Sequence, residues 1–172
     1  MSKFIVLLAS VAATISSNIL AADREGADPE TYISAFNDVC RTHFPDLDAV
    51  ARDAVAKGWQ SSKMRLIEGA TDLPKNLPQA FHKDSMMLFL TRPESGDFSE
   101  VCQISGSEAT KLTGADIAAM MAPSVDAAAS MVDKGADHET TTWRTGPGIS
   151  VQAGISIYRK FRTISLSARH TR

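Results

Sequence analysis

The clearest pattern in the chain is an alternation of apolar with small or polar side chains over residues 149–158. Every second position is Ile, Val or Ala, and the positions between them are Ser, Gln, Gly or Tyr. A period of two is typical of a strand with one buried side, so this segment predicts a strand. The same period over 163–168 and the Thr-rich run 139–145 predict two more strands, which complete an antiparallel meander.

Two further strands are predicted in the middle of the chain. Residues 85–92 contain five consecutive apolar positions, 86–90, on both sides of a pleat, which favours a central strand that is buried on both sides. Residues 98–106 follow a short turn and form the return strand. Phe98, Cys102 and Ile104 share one side of that strand, so we expect the Cys102 side chain to point inward.

The segment before these strands, residues 63–82, combines a candidate strand with a candidate connection. Residues 63–68 are a candidate strand. Residues 71–82 contain two prolines and indicate a long surface connection.

Apolar side chains recur at helical spacing in residues 28–44 and again in 46–57, which predicts two N-terminal helices. Asp28 can accept hydrogen bonds from the first free N–H groups of the first helix. Gly58 fits the left-handed position after the second helix, with Trp59 folded back on the last turn.

A broken helix is predicted between the two groups of strands. Residues 113–116 resemble a capping box with Asp in place of Glu, and Pro123 should kink or break the helix that follows. A second helical stretch is expected over 125–134, closed by Gly135. Together these elements predict an α+β fold: an antiparallel sheet of five or six strands packed against the N-terminal helices and the inserted broken helix.

Residues 1–22 are typical of a secretory signal peptide. Lys3 precedes a ten-residue apolar region at 4–13 that contains one serine and is too short for a membrane span, and small residues end the segment. We expect the mature N-terminus at Ala22 or Asp23 and a single domain over 23–172. The alternatives are a buried N-terminal helix or an uncleaved anchor.

The two cysteines, Cys40 and Cys102, fit an exported protein. One pair can form one disulfide in an oxidising compartment. The alternative is two buried free thiols.

Charge is unevenly distributed along the chain. The net charge is −2, yet residues 143–172 contain six basic residues and no acidic one. Nucleic acid is not an expected partner of a mildly acidic exported protein. The basic end could bind an anionic partner, or it could face acidic helices of the same molecule.

No motif predicts a catalytic, cofactor or metal site. The chain has no Gly-x-Ser-x-Gly, its four histidines are scattered, and Gly146-x-Gly148 is interpreted as a turn. Residues 133–139 are the densest group of potential metal ligands, and their alternative interpretation is a polar loop that leaves a helix. We therefore assign no catalytic residue, cofactor or metal ligand.

The predicted hairpin tip at 158–162 is the best candidate for binding a partner. Arg and aromatic side chains are common anchors in protein interfaces, and this short turn carries both. The candidate residues are Tyr158, Arg159, Lys160, Phe161 and Arg162. The alternative is a solvated turn without a partner.

The early Cys40, the Gly58-Trp59 pair after a second helix and the later strand Cys102 resemble small uncharacterised exported proteins of Gram-negative bacteria. The resemblance implies a periplasmic or secreted location and no activity. The function we expect is non-enzymatic binding of an unknown protein or envelope component, as an inhibitor or accessory module. The alternatives are a small envelope hydrolase whose site is assembled from distant residues, and a small-ligand or metal carrier.

Overall fold

The computed structural model of the chain describes residues 27–62, 78–108, 110–159 and 161–172. Three helices and eight strands lie in these ranges. In chain order they are α1 (Pro29–His43), α2 (Leu47–Ala56), β1 (Gln60–Ser62), β2 (Gln79–Lys83), β3 (Met86–Thr91), β4 (Phe98–Ser107), α3 (Gly114–Val125), β5 (Ala129–Lys134), β6 (His138–Gly146), β7 (Ile149–Tyr158) and β8 (Phe161–Thr171).

All eight described strands form one antiparallel sheet in the order β1-β2-β3-β4-β8-β7-β6-β5. Two helices precede a first four-stranded meander, β1–β4, and one helix precedes a second, β5–β8. The two meanders join where β4 pairs with β8. The α+β prediction is therefore confirmed. The strand count of five or six was wrong, because β1, β2 and β5 lie outside the predicted strands.

Both N-terminal helices begin and end as their sequences predict. The Asp28 side chain accepts a hydrogen bond from the Glu30 N–H at the start of α1. After α2, Gly58 has a φ of +85°, and the Trp59 N–H donates to the Ala54 carbonyl at 3.0 Å. This bond, together with one from the Gly58 N–H to the Val55 carbonyl, makes the predicted Schellman cap.

Helix α3 begins at the predicted capping box, in which the side chains of Thr113 and Asp116 bond each other's backbone N–H groups. Pro123 was predicted to kink or break the helix, and it does not break α3. It lies in the last turn, and α3 continues past it to Val125. Asp126, with a φ of +52°, then ends the helix.

The helix predicted over 125–134 was wrong beyond Val125, because residues 129–134 form strand β5. The Ala and Met content favours a helix locally, but pairing of Val132 with Thr141 of β6 satisfies the backbone as a strand. Tertiary pairing thus outweighs local propensity here.

The predicted surface connection over 71–82 was also wrong at its end. Residues 79–83 form β2, and the Phe81 side chain is buried opposite Leu88 of β3. The remainder of that connection and the candidate strand at 63–68 lie outside the described residues.

One side of the sheet carries an apolar row that crosses five strands. The residues of this row are paired directly opposite one another and are buried: Phe81, Leu88, Ile104, Leu166 and Ala153. Phe36 and Tyr32 of α1 also belong to this core. We call this side of the sheet the helix face.

A disulfide ties α1 to the helix face. Cys102 of β4 is bonded to Cys40 of α1, with 5.7 Å between their Cα atoms. The predicted pairing and the inward direction of Cys102 are confirmed. None of the described helices has the length and apolar content required to cross a membrane.

Candidate interaction surface

The opposite side of the sheet, which we call the open face, is largely polar. Its central row follows the register from β3 to β5, and none of the described helices packs on it. The residues of this row are Phe89, Gln103, Ser167, Gln152, Thr142 and Met131. Burial of β3 on both sides was thus only partly right, because Phe89 is half-buried while Leu88 is fully buried.

Part of this polarity is satisfied within the sheet. The Gln152 side-chain amide lies 3.5 Å from the Thr142 hydroxyl, and the Arg169 Nε–H donates to the Ser167 hydroxyl at 3.2 Å. Among the described residues, the Gln103 side chain has no hydrogen-bond partner. The open face therefore offers donors and acceptors that are available to another molecule.

The next row of the open face is basic. Arg169 of β8 and Arg144 of β6 both lie opposite Ser150 of β7, one strand away on either side. The Arg169 guanidinium carbon is 5.3 Å from the centre of the Phe98 ring. Burial lowers the pKa of Arg169, because its charge is partly withdrawn from water.

A cleft of about 1250 Å³ opens beside Arg144 and Ser150 of this row, at one end of the sheet. Phe98, Met131, Arg144 and Ser150 line it, together with the β6–β7 turn and the end of β8. Backbone hydrogen bonds fix its walls: the Arg172 N–H donates to the Asp97 carbonyl at 3.0 Å, and the Thr171 N–H donates to the Gly148 carbonyl at 2.7 Å.

The β7–β8 hairpin tip lies at the other end of the open face. Tyr158 and Phe161 pair across the strands and are 69% and 68% exposed. Arg159 turns the chain with a φ of +57°, and its guanidinium lies 5.4 Å from the centre of the Tyr158 ring. Lys160, the fourth predicted tip residue, lies outside the described residues.

Arg162 does not join this tip surface. It pairs with Ile157, one position from the aromatic pair, so its side chain projects to the helix face. There its Nε lies 2.7 Å from the Glu108 Oε2, and its guanidinium also donates to the Leu112 carbonyl. The prediction of an exposed basic Arg162 was wrong because a carboxylate distant in sequence binds it.

Two serine–histidine contacts occur in the described parts of the chain. The Ser99 hydroxyl lies 3.1 Å from the His170 Nδ1, and the Glu100 carboxylate lies 2.9 Å from the same nitrogen. A nucleophile relay needs the serine and the acid on different ring nitrogens. The Ser62 hydroxyl lies 2.8 Å from the His82 Nδ1, with no carboxylate bonded to the other nitrogen within the described ranges.

The ligand-rich segment 133–139 forms the β5–β6 hairpin rather than a loop after a helix. His138 Nδ1 lies 2.9 Å from an Asp137 oxygen, and Nε2 lies 3.2 Å from an Asp133 oxygen. In the described ranges, no group of three or more His, Cys, Asp or Glu side chains is arranged to hold a metal ion.

Comparison of the chain with protein-family models, curated proteins and solved structures finds no match. The resemblance to small exported proteins of Gram-negative bacteria therefore stays a prediction.

Sequence reasoning missed the basic row and the cleft. One signal was present, since the polar positions 150, 152, 154 and 156 mark the solvent side of β7. The predicted meander placed the neighbouring strands beside β7, but the register that sets Arg144 and Arg169 opposite Ser150 could not be read from that alternation.

Proposed function

We propose that the protein acts outside the cytoplasm, in the periplasm or as a secreted protein, by binding another macromolecule without catalysis. The binding surface in this proposal is the open face of the sheet. An inhibitor or an accessory module of the cell envelope is the kind of protein that fits.

The observation that carries the proposal is the composition of the open face. A sheet side that carries largely polar side chains, with no helix layer among the described elements, is suited to contact with another polar surface. Arginine and aromatic side chains are enriched in protein interfaces, and both occur here, as Arg144 and Arg169 at one end and Tyr158 and Phe161 at the other.

Rigidity also supports a binding role. The strands on either side of β8 pair over most of their lengths, and a preformed surface loses little conformational entropy when a partner binds. The disulfide between Cys40 and Cys102 fits an oxidising compartment.

Site-specific photo-crosslinking in the cells that produce the protein tests this proposal. A photoreactive phenylalanine analogue placed at Gln152, in the centre of the open face, should give a discrete adduct of higher mass. The same analogue at Ala119, an exposed position of α3, is the matched control and should not. Mass spectrometry of the adduct then identifies the partner.

Both variants must melt within a few degrees of the unmodified protein for the comparison to be valid. Equal adducts from both positions would indicate random collision, and adducts from Ala119 alone would place the interface on the helices. Either result, or no adduct from Gln152, would contradict the proposal.

A further inference from the structure

The tip of the β7–β8 hairpin presents aromatic and basic side chains to solvent. Among the described residues, Tyr158 and Phe161 are the exposed aromatic side chains, and they lie opposite each other where the two strands end. Arg159 follows Tyr158 and is also exposed. Among the described residues, no carboxylate forms an ion pair with Arg159. Exposed apolar surface with a polar rim is typical of a contact site for another molecule.

The residue that turns the chain at this tip is poorly suited to its backbone conformation. Arg159 has a φ of +57°, a left-handed value that most residues with a Cβ disfavour. Two other hairpins in the described sheet have two-residue turns, and they use residue types that adopt such values readily. Asp84 turns β2 into β3 with a φ of +52°, and Gly148 turns β6 into β7 with a φ of +69°. An arginine at this position costs stability, which indicates that its side chain serves another purpose.

Arg159 and Tyr158 form a preassembled group. The guanidinium carbon lies 5.4 Å from the centre of the Tyr158 ring, within the range of a cation–π contact. Because the two side chains already order each other, binding costs less conformational entropy. Arginine also presents a planar set of donors that matches a carboxylate. This group therefore suits a pocket with apolar walls and a carboxylate.

The neighbouring β5–β6 turn distinguishes such a pocket from an anionic membrane surface. The Ile157 N–H donates to the Asp137 carbonyl, so this turn lies beside the tip. The Asp133 and Asp137 side chains are 61% and 76% exposed there, and both contact His138. An extended anionic surface would repel these two carboxylates, whereas a pocket can enclose the tip alone. The charge distribution favours a protein pocket.

We propose that the hairpin tip inserts into an acidic pocket of the partner protein. Tyr158 and Phe161 contact the apolar walls of this pocket, and Arg159 binds an Asp or Glu carboxylate in it. The inference rests on the proposed function and specifies which part of the open face enters the partner, since Tyr158 lies on the same side of β7 as Gln152. A tip that fills a pocket also keeps other ligands out of it, which fits an inhibitor.

Photo-crosslinking from Phe161 in the cells that produce the protein tests this contact. The photoreactive analogue p-benzoylphenylalanine replaces Phe161 in the full chain, where the side chain is exposed and the fold should tolerate it. Mass spectrometry then locates the adduct on the partner. We expect the linked partner peptide to lie in a pocket that contains at least one Asp or Glu.

Arg159→Asn separates binding from stability. It should reduce the adduct yield about tenfold, because it removes charge-assisted hydrogen bonds to the partner. The same variant should melt at or above the temperature of the unsubstituted chain, because asparagine adopts left-handed conformations more readily than arginine does. A merely structural role of Arg159 would instead lower the melting temperature.

Lys111→Asn is the matched control. Lys111 is another exposed cation with a left-handed φ, +59°, and it lies outside the hairpin. The substitution makes the same changes in charge and in backbone preference, so the adduct yield from Phe161 should stay unchanged. Equal loss of adduct in both variants would overturn the inference, as would an unchanged yield in Arg159→Asn.

The identity of the adduct supplies the remaining outcomes. A Phe161 adduct with a lipid or with a second copy of the chain would assign the tip to a different partner and overturn the inference. So would sedimentation of the mature chain with phosphatidylglycerol vesicles that Arg159→Asn abolishes, because the tip would then bind an anionic lipid surface.

The two proposals can fail separately. If Gln152 crosslinks to a partner and Phe161 does not, the tip inference falls and the proposed function stands. If Gln152 gives no adduct, the proposed function falls whatever Phe161 does.

Discussion

Arg162 of β8 and Glu108, just after β4, form an ion pair with 2.7 Å between Nε and Oε2. The Glu108 side chain is 1% exposed. Burial on its own would raise the pKa of Glu108, but hydrogen bonds from Thr110, Arg162 and the Leu112 N–H outweigh burial and lower it. The pair thereby holds the segment that leads into α3 against the sheet.

Arg162→Gln should lower the free energy of unfolding by about 2 kcal/mol at pH 7, because it removes a charged hydrogen bond from a buried carboxylate. Arg159→Gln should change it by less than about 0.5 kcal/mol, as expected for a surface substitution. Urea unfolding of the two variants measures both effects. Similar losses in the two variants would contradict the structural role of Arg162.

The same pair predicts a pH dependence. A folded-state pKa below the unfolded value stabilises the protein at pH values above the ordinary pKa of 4.5, and this stabilisation is lost as the pH falls through the folded value. The difference in unfolding free energy between wild type and Arg162→Gln should therefore shrink in acid. A difference that is equal at neutral and strongly acidic pH would count against the pair.

Arg162 also shows where sequence reasoning ends. A basic residue two positions after a predicted turn indicates an exposed cation, and its partner Glu108 is 54 residues away. Period and spacing describe the side of a strand, so they predicted β7 and the direction of Cys102. They do not identify which distant carboxylate faces that side.

Strand β5 shows the corresponding limit for the fold. Its sequence has no alternation and its six residues are all exposed, so no buried side marks it as a strand. Only pairing with β6 makes it one. The basic row was missed for a related reason. The meander predicted β6 and β8 as neighbours of β7, but the register that places Arg144 and Arg169 opposite Ser150 is not visible in the sequence.

Loss of the disulfide should destabilise the protein without changing its fold. The bond links residues 62 apart in the chain, for which the chain-entropy model gives about 4 kcal/mol, an upper figure. Reduced wild type and the double variant Cys40→Ala/Cys102→Ala should therefore unfold at similarly lower urea concentrations. Two freely alkylated thiols in protein purified without reductant would refute the pairing.

Gly154→Ala should destabilise the centre of the sheet. A Cβ at this position would collide with the Glu139 carbonyl oxygen and lie 2.8 Å from the Thr140 Cα, so backbone would have to move. Overpacking of this kind costs about 1–3 kcal/mol. Gly146→Ala is the matched control, since nothing lies within 4 Å of its added Cβ. In thermal melts, the melting temperature should fall for Gly154→Ala and stay nearly unchanged for Gly146→Ala.

The mass of the exported protein tests the predicted signal peptide directly. Intact-mass analysis of the periplasmic fraction should show a chain that begins at Ala22 or Asp23, because the apolar run at 4–13 is too short to stay as a span. Full-length protein recovered from the cytosol would contradict export and, with it, the proposed location.

His138 should titrate above the ordinary histidine range. The hydrogen bond to Asp137 is the largest cause that raises its pKa from 6.5, and the hydrogen bond to Asp133 is the second. Both ring nitrogens can donate only in the protonated form. A raised folded-state pKa stabilises the β5–β6 hairpin below about pH 6.5, and this contribution disappears as the pH rises through the folded value. In the same hairpin, the Lys134 Nζ lies 3.4 Å from a Glu139 carboxylate oxygen.

NMR titration of the His138 Cε1 proton measures the pKa directly, and Asp137→Asn should lower it. Amide exchange of the β5–β6 hairpin, corrected for the intrinsic pH dependence of exchange, should become faster between pH 6 and 8 in the wild type. His138→Gln should show no such change, because glutamine carries no titrating charge between the two carboxylates. An unshifted pKa of His138 would show that the carboxylates do not hold the ring. Equal pH dependence of amide exchange in the wild type and in His138→Gln would show the same.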